Sequence, residues 1–100
     1  MLKRSIAMQP FNSRVQYSLG MNYVNSGMFQ VAQIYFQQAA AMDPWNVRAR
    51  VALGKVLCDQ GKYREGIAVY QSIHDAGPFE GILRENLRLS QKIIADQVKL

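Results

Sequence analysis

The side chains best suited to chemistry stand alone in this chain. His74 is the only histidine and Cys58 is the only cysteine. A metal site needs several ligands and a catalytic thiol needs a neighbouring base, so neither residue predicts such a site by itself. Cys58 is better explained as a small packed side chain, and His74 as a residue near a helix end that interacts favourably with the helix dipole.

The segment 61–66, GKYREG, contains the glycine and lysine that phosphate-binding loops use. Its order is wrong, because such a loop follows a strand and places glycine directly before Lys-Ser or Lys-Thr. Gly61 is better explained as a turn between two helices. Glu80 and Glu85 are carboxylates of the kind that any exposed helix carries. We therefore predict that the chain is not an enzyme and that it holds no metal and no cofactor.

Charge and hydrophobicity limit the classes of partner. The chain of 100 residues carries 12 lysine and arginine residues against 7 acidic residues, a net charge of +5. The basic residues are scattered, and aromatic residues do not alternate with them as base stacking requires, so we expect no nucleic-acid partner. No apolar run approaches the roughly 20 residues that cross a bilayer, so no membrane span is expected within this chain.

The compartment is left unknown by the sequence. A single cysteine excludes an intrachain disulfide, which fits a reducing cytosol best and leaves an envelope or periplasmic location open. The apolar part of residues 1–4 is too short for a secretory signal.

One stretch of the chain occurs twice at a fixed spacing. Leu19-Gly20 returns as Leu53-Gly54, 34 positions later (53 − 19 = 34). Three proline-aromatic pairs keep the same step: Pro10-Phe11, Pro44-Trp45 and Pro78-Phe79. A fixed period of this length is typical of stacked-repeat proteins. The chain shows no useful β-type alternation, so the repeats are predicted to be helical.

Apolar periodicity predicts helices over about 13–25, 28–42, 46–59, 62–75 and 79–98. Asn12 precedes the first of these helices and Asn46 begins the third, and their side chains can accept a free backbone amide hydrogen. Gly27 and Gly61 follow the same two helices and end them, and Gly27 suits a left-handed cap. Residues 1–10 match the end of the second helix when counted 34 positions on, so they are expected to end a preceding repeat. The chain is therefore predicted to be a fragment of a longer protein.

These residues resemble the tetratricopeptide repeat, whose pattern is Trp-x2-Leu-Gly-x2-Tyr, then Ala-x3-Phe, then Pro. The first repeat, 13–46, matches at Leu19, Gly20, Tyr23, Ala32, Phe36 and Pro44. The second repeat, 47–80, matches at Leu53, Gly54, Pro78 and, conservatively, Tyr70. The chain departs from the pattern at Gln16 and Arg50 in place of tryptophan, at Leu57 in place of tyrosine and at Gly66 in place of alanine.

The resemblance implies an all-α protein, a right-handed α-solenoid of stacked antiparallel helix hairpins. Residues 81–100 would form a C-terminal capping helix over the last hairpin. The two helices of a hairpin must approach closely in this family. The resemblance therefore places Gly20 against Ala32 and Gly54 against Gly66.

In this family the first helix of each hairpin lines a concave groove that takes a peptide or a helix. At the matching positions, the predicted partner-binding residues are Arg14, Tyr17, Met21, Val24, Arg48, Val51, Lys55, Cys58 and Leu89, with Asn25, Asp59, Ile82, Glu85 and Asn86 beside them. The central strip is apolar, which predicts an apolar or amphipathic partner segment. The basic residues around it predict some acidic character in that segment.

One subgroup of the family grips a terminal carboxylate with Lys, Asn and Arg side chains. Here Tyr17 and Met21 stand where that set has Lys and Asn. Lys55 stands where the second Asn belongs, and Asn86 where an Arg belongs. The carboxylate clamp is therefore absent.

The resemblance implies a protein–protein interaction module, an adaptor or scaffold that binds other proteins. Two alternatives stay open. The array could be a structural or oligomerisation tail of a larger envelope or secretion-type protein, forming a homo-oligomer or covering the apolar strip with another part of that protein. A catalytic domain could also precede this chain.

Overall fold

The computed structural model describes residues 12–98, and all regular structure within that range is helical. The helices are α1 (Ser13–Asn25), α2 (Phe29–Met42), α3 (Val47–Asp59), α4 (Tyr63–Gln71) and α5 (Glu80–Val98), with a 3-10 turn (Gly77–Phe79) before α5. Each helix packs mainly against its neighbours in the chain, which gives an α-solenoid of stacked antiparallel hairpins as predicted. The predicted helix end at 1–10 lies outside the described residues.

The first helix of each hairpin begins at the predicted asparagine. The Val15 amide donates to Asn12 Oδ1 at 3.0 Å, and the Ala49 amide donates to Asn46 Oδ1 at 3.1 Å. Each side chain replaces a hydrogen-bond partner that the first turn of a helix lacks. The two caps lie 34 positions apart (46 − 12 = 34), so the repeat extends to its capping hydrogen bonds.

Both hairpin turns use a glycine with a left-handed backbone. Gly27 has a φ of 78° and Gly61 a φ of 84°. After α1, the Met28 amide donates to the Tyr23 carbonyl at 2.9 Å, and the equivalent bond follows α3. This is the hydrogen-bond pattern of a Schellman cap, which satisfies carbonyls at the end of the helix. The prediction of a left-handed cap at Gly27 is confirmed, and Gly61 has the same conformation.

Helix α4 ends at Gln71, so the predicted extension to residue 75 is wrong. The chain leaves the helix because Ile73 and Ala76 turn into the core, where they are 9% and 3% exposed. Asp75 between them has a φ of 56°, a left-handed conformation that aspartate tolerates better than most residues. Core packing therefore sets the backbone conformation of the segment after α4, and the helix does not continue through it.

Two apolar clusters hold the helices together. The first joins α2 to α3 and consists of Ala32, Phe36, Leu53, Val56 and Leu57. The second joins α3, α4 and α5 and consists of Val51, Tyr70, Ile73, Ala76 and Leu83. Full burial of a side chain such as Phe36 contributes about 1.5–3 kcal/mol. Each cluster spans a junction between successive hairpins or between a hairpin and α5.

A glycine of the first helix lies under an aromatic ring of the second in both hairpins. A Cβ added at Gly20 would lie 2.5 Å from Cε1 of Phe36, and one added at Gly54 would overlap the Tyr70 ring. The three atoms nearest to a Cβ at Gly20 all belong to Phe36, which lies one turn beyond the expected Ala32. Glycine is required because a Cβ at these positions would occupy the space that the ring fills.

Gly66 confirms the expected approach to Gly54 in the second hairpin. A Cβ added at Gly66 would lie 2.9 Å from the Gly54 carbonyl oxygen and 2.6 Å from Sγ of Cys58. The backbones of α3 and α4 are thus too close for a side chain at this crossing.

At the two positions where the repeat pattern has tryptophan, polar bridges join the first helix of a hairpin to its second helix or to the residue that follows it. Gln16 Nε2 donates to Gln38 Oε1 at 2.6 Å, and Arg50 Nη1 donates to Ser72 Oγ at 3.2 Å. The two bridges are equivalent by the repeat (50 − 16 = 34; 72 − 38 = 34). Arg50 Nε also donates to the Pro44 carbonyl at 3.1 Å. Hydrogen bonds thus occupy the position where the pattern has an aromatic ring.

Polar contacts also join the two hairpins at opposite ends. At one end, Asn46 Nδ2 donates to Ser13 Oγ at 3.1 Å, and the Ser13 hydroxyl donates to Asp43 Oδ2 at 3.5 Å. At the other, Gln60 Nε2 donates to Gln33 Oε1 at 2.7 Å. These directional contacts fix how one hairpin stacks on the next.

We predict that Gly20→Ala destabilises the protein and that Gly81→Ala does not. Alanine favours a helix over glycine by about 1 kcal/mol, so propensity alone stabilises both variants. At Gly20 the new Cβ meets the Phe36 ring, whereas at Gly81 nothing lies within 4 Å. Overpacking of about 1–3 kcal/mol should therefore lower the free energy of unfolding of Gly20→Ala in urea titrations. Equal midpoints for the two variants would show that the Phe36 ring does not constrain this crossing.

The buried Tyr70 phenol generates a prediction at alkaline pH. Burial raises the pKa of Tyr70 above its ordinary 10.0, with smaller contributions in the same direction from Cys58 and Asp59, and Asn86 opposes them. The unfolded chain then loses this proton at lower pH than the folded protein. The stabilisation that the protonated Tyr70 phenol contributes to the folded protein is fully present below about pH 10. It is lost as the pH rises above that value.

We therefore expect the free energy of unfolding to fall above about pH 10 by up to about 1.4 kcal/mol per pH unit. Urea titrations of wild type and Tyr70→Phe on both sides of that pH measure the slope. The phenylalanine variant cannot ionise and should show the shallower dependence. Parallel curves for the two proteins would contradict the assignment to Tyr70.

Candidate functional site

The inner sides of α1 and α3, together with the start of α5, surround a concave cavity of about 390 Å³. Its apolar lining consists of Tyr17, Met21, Val24, Phe36, Val51, Ala52, Val56, Phe79 and Ile82. Its polar lining consists of Arg48, Lys55, Asp59 and Asn86. We call this set of residues the groove.

One wall of the groove comes from a single face of α1. Tyr17, Met21 and Val24 follow one another at i, i+4 and i+7, the spacing that places side chains on one side of a helix. All three are half-buried and pack against the first apolar cluster. The Tyr17 ring is tilted against the Phe36 ring, with centroids 5.8 Å apart. The wall is therefore held in place by the core beneath it.

Arg48 lies between two aromatic rings at one end of the groove. Its Cζ is 5.9 Å from the centroid of Tyr17 and 5.5 Å from the centroid of Phe79. A guanidinium over a ring face at such distances is attracted by about 0.5–1 kcal/mol at an exposed site. These contacts bring together α1, α3 and the turn before α5, and they restrict the arginine while leaving its donors accessible.

The other cation of the groove is already paired. Lys55 Nζ lies 3.1 Å from Asp59 Oδ1, one helical turn along α3. Exposed pairs of this kind contribute little to stability, but they offset the local charge. Glu85, expected beside the groove, instead pairs with Arg88 at 2.7 Å on the exposed side of α5. Hydrogen bonding and the charge of Arg88 hold the pKa of Glu85 below its usual value.

A second cavity of about 740 Å³ adjoins the groove and shares Tyr17, Arg48 and Phe79 with it. We call it the polar recess. Besides the shared residues, its lining includes Ser13, Arg14, Ser18, Asp43, Trp45, Asn46 and Asp75. Arg48 therefore stands at the boundary between an apolar and a polar concavity.

The structure brings most of the predicted partner-binding residues to this concave face. Six of them line the groove: Tyr17, Met21, Val24, Arg48, Val51 and Lys55. Arg14 lines the polar recess. Of the residues expected beside them, Asp59, Ile82 and Asn86 line the groove as well.

Cys58 was predicted to face the groove, and that placement is wrong. Its Sγ lies 3.1 Å from Ser90 Oγ of α5, and its side chain packs against the second apolar cluster. Cys58 lies on the side of α3 that packs against α5, whereas the next residue, Asp59, lines the groove. One helical position, about 100° of rotation, separates the two environments.

Leu89 also lies outside the groove lining, although it shares a face of α5 with Ile82. The two residues are seven positions apart, close to two helical turns. Leu89 is 43% exposed and Ile82 is 55% exposed. Leu89 extends the apolar face of α5 beyond the groove.

Sequence reasoning missed Phe36, Ala52, Val56 and Phe79 as groove residues. Phe36 and Val56 are core residues that show one edge to the cavity, which periodicity cannot indicate. Phe79 could have been singled out from the sequence, because it belongs to the repeated proline-aromatic pairs. Its position over Arg48 depends on the 3-10 turn Gly77–Phe79, which redirects the chain into α5.

Within residues 12–98, no three His, Cys, Asp or Glu side chains lie close enough together to hold a metal ion. His74 is exposed in this part of the chain. None of the described helices is both long enough and apolar enough to span a bilayer.

Comparison with known proteins agrees with the architecture. A family model described as tetratricopeptide repeat matches residues 23–82, more than half of the chain. No curated protein matches the chain significantly. Repeats of this family generally mediate protein–protein interaction, and they are typically non-catalytic. With its 34-residue period, its stacked hairpins and this match, the chain belongs to the tetratricopeptide repeat family.

Proposed function

We propose that this chain is an adaptor module that binds a peptide or helix of a partner protein in the groove. The observation that carries the proposal is the half-buried apolar wall of Tyr17, Met21 and Val24, which borders a cavity of about 390 Å³. An apolar concavity held by a packed core is a suitable surface for an apolar segment of another protein.

The chemistry of the wall suits side chains that insert from outside. Met21 is flexible and polarisable and can adapt its shape to an incoming group. Tyr17 presents a large ring at low cost in conformational entropy, as aromatic anchors of protein interfaces do. Each large apolar side chain that a partner fully buries there contributes about 1.5–3 kcal/mol before the costs of association.

The partner we propose is an apolar or amphipathic segment with some acidic character. The occupant could belong to another protein or to another part of a longer protein that contains this chain. Both occupants would use the same apolar contacts, so the binding surface can be tested separately from the identity of the partner.

We predict that Tyr17→Ala combined with Met21→Ala weakens peptide binding at least about tenfold, because both anchors are lost. A random ten-residue peptide display library, selected against the 100-residue chain, supplies the probes, and fluorescence anisotropy measures their affinities. The matched control is Met28→Ala combined with Ile34→Ala. It removes two large apolar side chains, 49% and 52% exposed, that do not line the groove.

Val51 is unsuitable for this test despite lining the groove. It is 9% exposed and belongs to the second apolar cluster, so a charged substitution there would disrupt the core.

If the Tyr17/Met21 double variant folds and binds the selected peptides as wild type does, the groove is not the binding surface. The control variant should keep wild-type affinity.

A homo-oligomer is the second candidate, favoured by an exposed apolar face of α5 that begins at the groove with Ile82 and continues beyond it. Ile82, Leu89 and Ile93 follow one another at i, i+7 and i+11, and each is more than a third exposed. Light scattering would give twice the chain mass of 11.4 kDa for a dimer through this face. Leu89→Lys with Ile93→Lys would then restore the monomer mass. A monomer in wild type at high concentration would exclude this candidate.

A further inference from the structure

We infer that Arg48 selects the partner by binding a carboxylate: the bound segment carries one aspartate or glutamate next to the apolar side chains that enter the groove. This inference rests on the proposed function and adds a specificity-determining residue to it.

Arg48 is positioned for such a contact before any partner arrives. The Tyr17 and Phe79 rings restrict its guanidinium from two different segments of the chain, at 5.9 Å and 5.5 Å. Arginine has a planar fork of donors that matches the two oxygens of a carboxylate. Because ring contacts already limit its motion, binding of a carboxylate orders less additional side chain.

The charge balance leaves Arg48 as the cation available to a partner in the groove. Lys55 is paired with Asp59 at 3.1 Å. Arg48 forms no ion pair with any residue from 12 to 98; the ion pairs in that range join Lys55 to Asp59, Arg84 to Glu80, Arg88 to Glu85 and Lys92 to Asp96. The charged groove residues Arg48, Lys55 and Asp59 therefore sum to one positive charge, located at the end where Arg48 stands.

The polar recess limits the acidic preference to one position. On the far side of Arg48, Asp43 and Asp75 line the recess together with Arg14. Asp43 is held in place there, since its Oδ1 accepts from the Trp45 amide at 3.1 Å. A second acidic side chain reaching past Arg48 would meet these two carboxylates. We therefore expect an acidic residue beside the apolar anchors and no acidic preference beyond it.

A charge-reversal selection tests the inference. The same peptide display library is selected in parallel against wild type, Arg48→Glu and a matched control, Arg64→Glu. Arg64 is an exposed arginine of α4 that does not line the groove, so the control makes the same change in net charge elsewhere. Wild type and Arg64→Glu should enrich peptides with Asp or Glu next to apolar residues. Arg48→Glu should enrich the same apolar residues with Lys or Arg at that position.

The affinity of one selected acidic peptide gives the magnitude. Arg48→Gln keeps a polar side chain without the charge and should weaken binding about tenfold, as expected for the loss of a charge-assisted hydrogen bond. If circular dichroism shows that Arg48→Glu is unfolded, Arg48→Gln tests the inference in its place. A peptide with the acidic residue replaced by glutamine should bind wild type and Arg48→Gln equally.

The outcomes separate this inference from the proposal beneath it. If wild type shows no acidic preference, or if Arg48→Glu and Arg48→Gln retain it, the inference about Arg48 is overturned while the groove still binds apolar peptides. If wild type selects no peptides, or if the Tyr17/Met21 variant selects the same peptides as wild type, the proposed function itself fails and this inference fails with it.

Discussion

The contact between an aromatic ring and a bare glycine backbone occurs in both hairpins, and the remaining packing is built around it. Phe36 covers Gly20 and Tyr70 covers Gly54, which lets the paired helices approach closely. Phe36 also belongs to the first cluster with side chains of α3, and Tyr70 belongs to the second cluster, which includes Leu83 of α5. Each ring therefore closes its own hairpin and at the same time supports the next element.

This arrangement ties the groove directly to the core. Phe36 contacts Gly20 in the interior, tilts against Tyr17 and shows an edge to the groove. The wall that we propose to bind a partner therefore rests on the side chain that sets the helix crossing. Because the core fixes this wall, little backbone ordering should accompany binding, which favours affinity. The adaptable elements are the side chains of Tyr17 and Met21 and not the helices.

Polar residues replace family aromatics in this chain without opening the hairpins. Gln16 and Arg50 stand where tryptophan is expected. Gln16 forms a hydrogen bond to Gln38 of α2, and Arg50 forms one to Ser72, the residue that follows α4. A buried polar side chain is costly unless it is paired, and Gln16, which is 8% exposed, is paired with Gln38. At these positions directional hydrogen bonds thus specify how the hairpin pairs, whereas a tryptophan would do so by filling space with its large side chain.

The sequence alone determined the features that depend on neighbours along the chain: the period, the asparagine caps, the left-handed glycines and most helix limits. These follow from local backbone and hydrogen-bond preferences, which act over a few residues. Tertiary structure decided the rest. Helix α4 ends early because Ile73 is drawn into the core, and Cys58 faces α5 while Asp59 faces the groove. The position of Arg48 between Tyr17 and Phe79 depends on three segments that are far apart in the chain, so only their packing could place it.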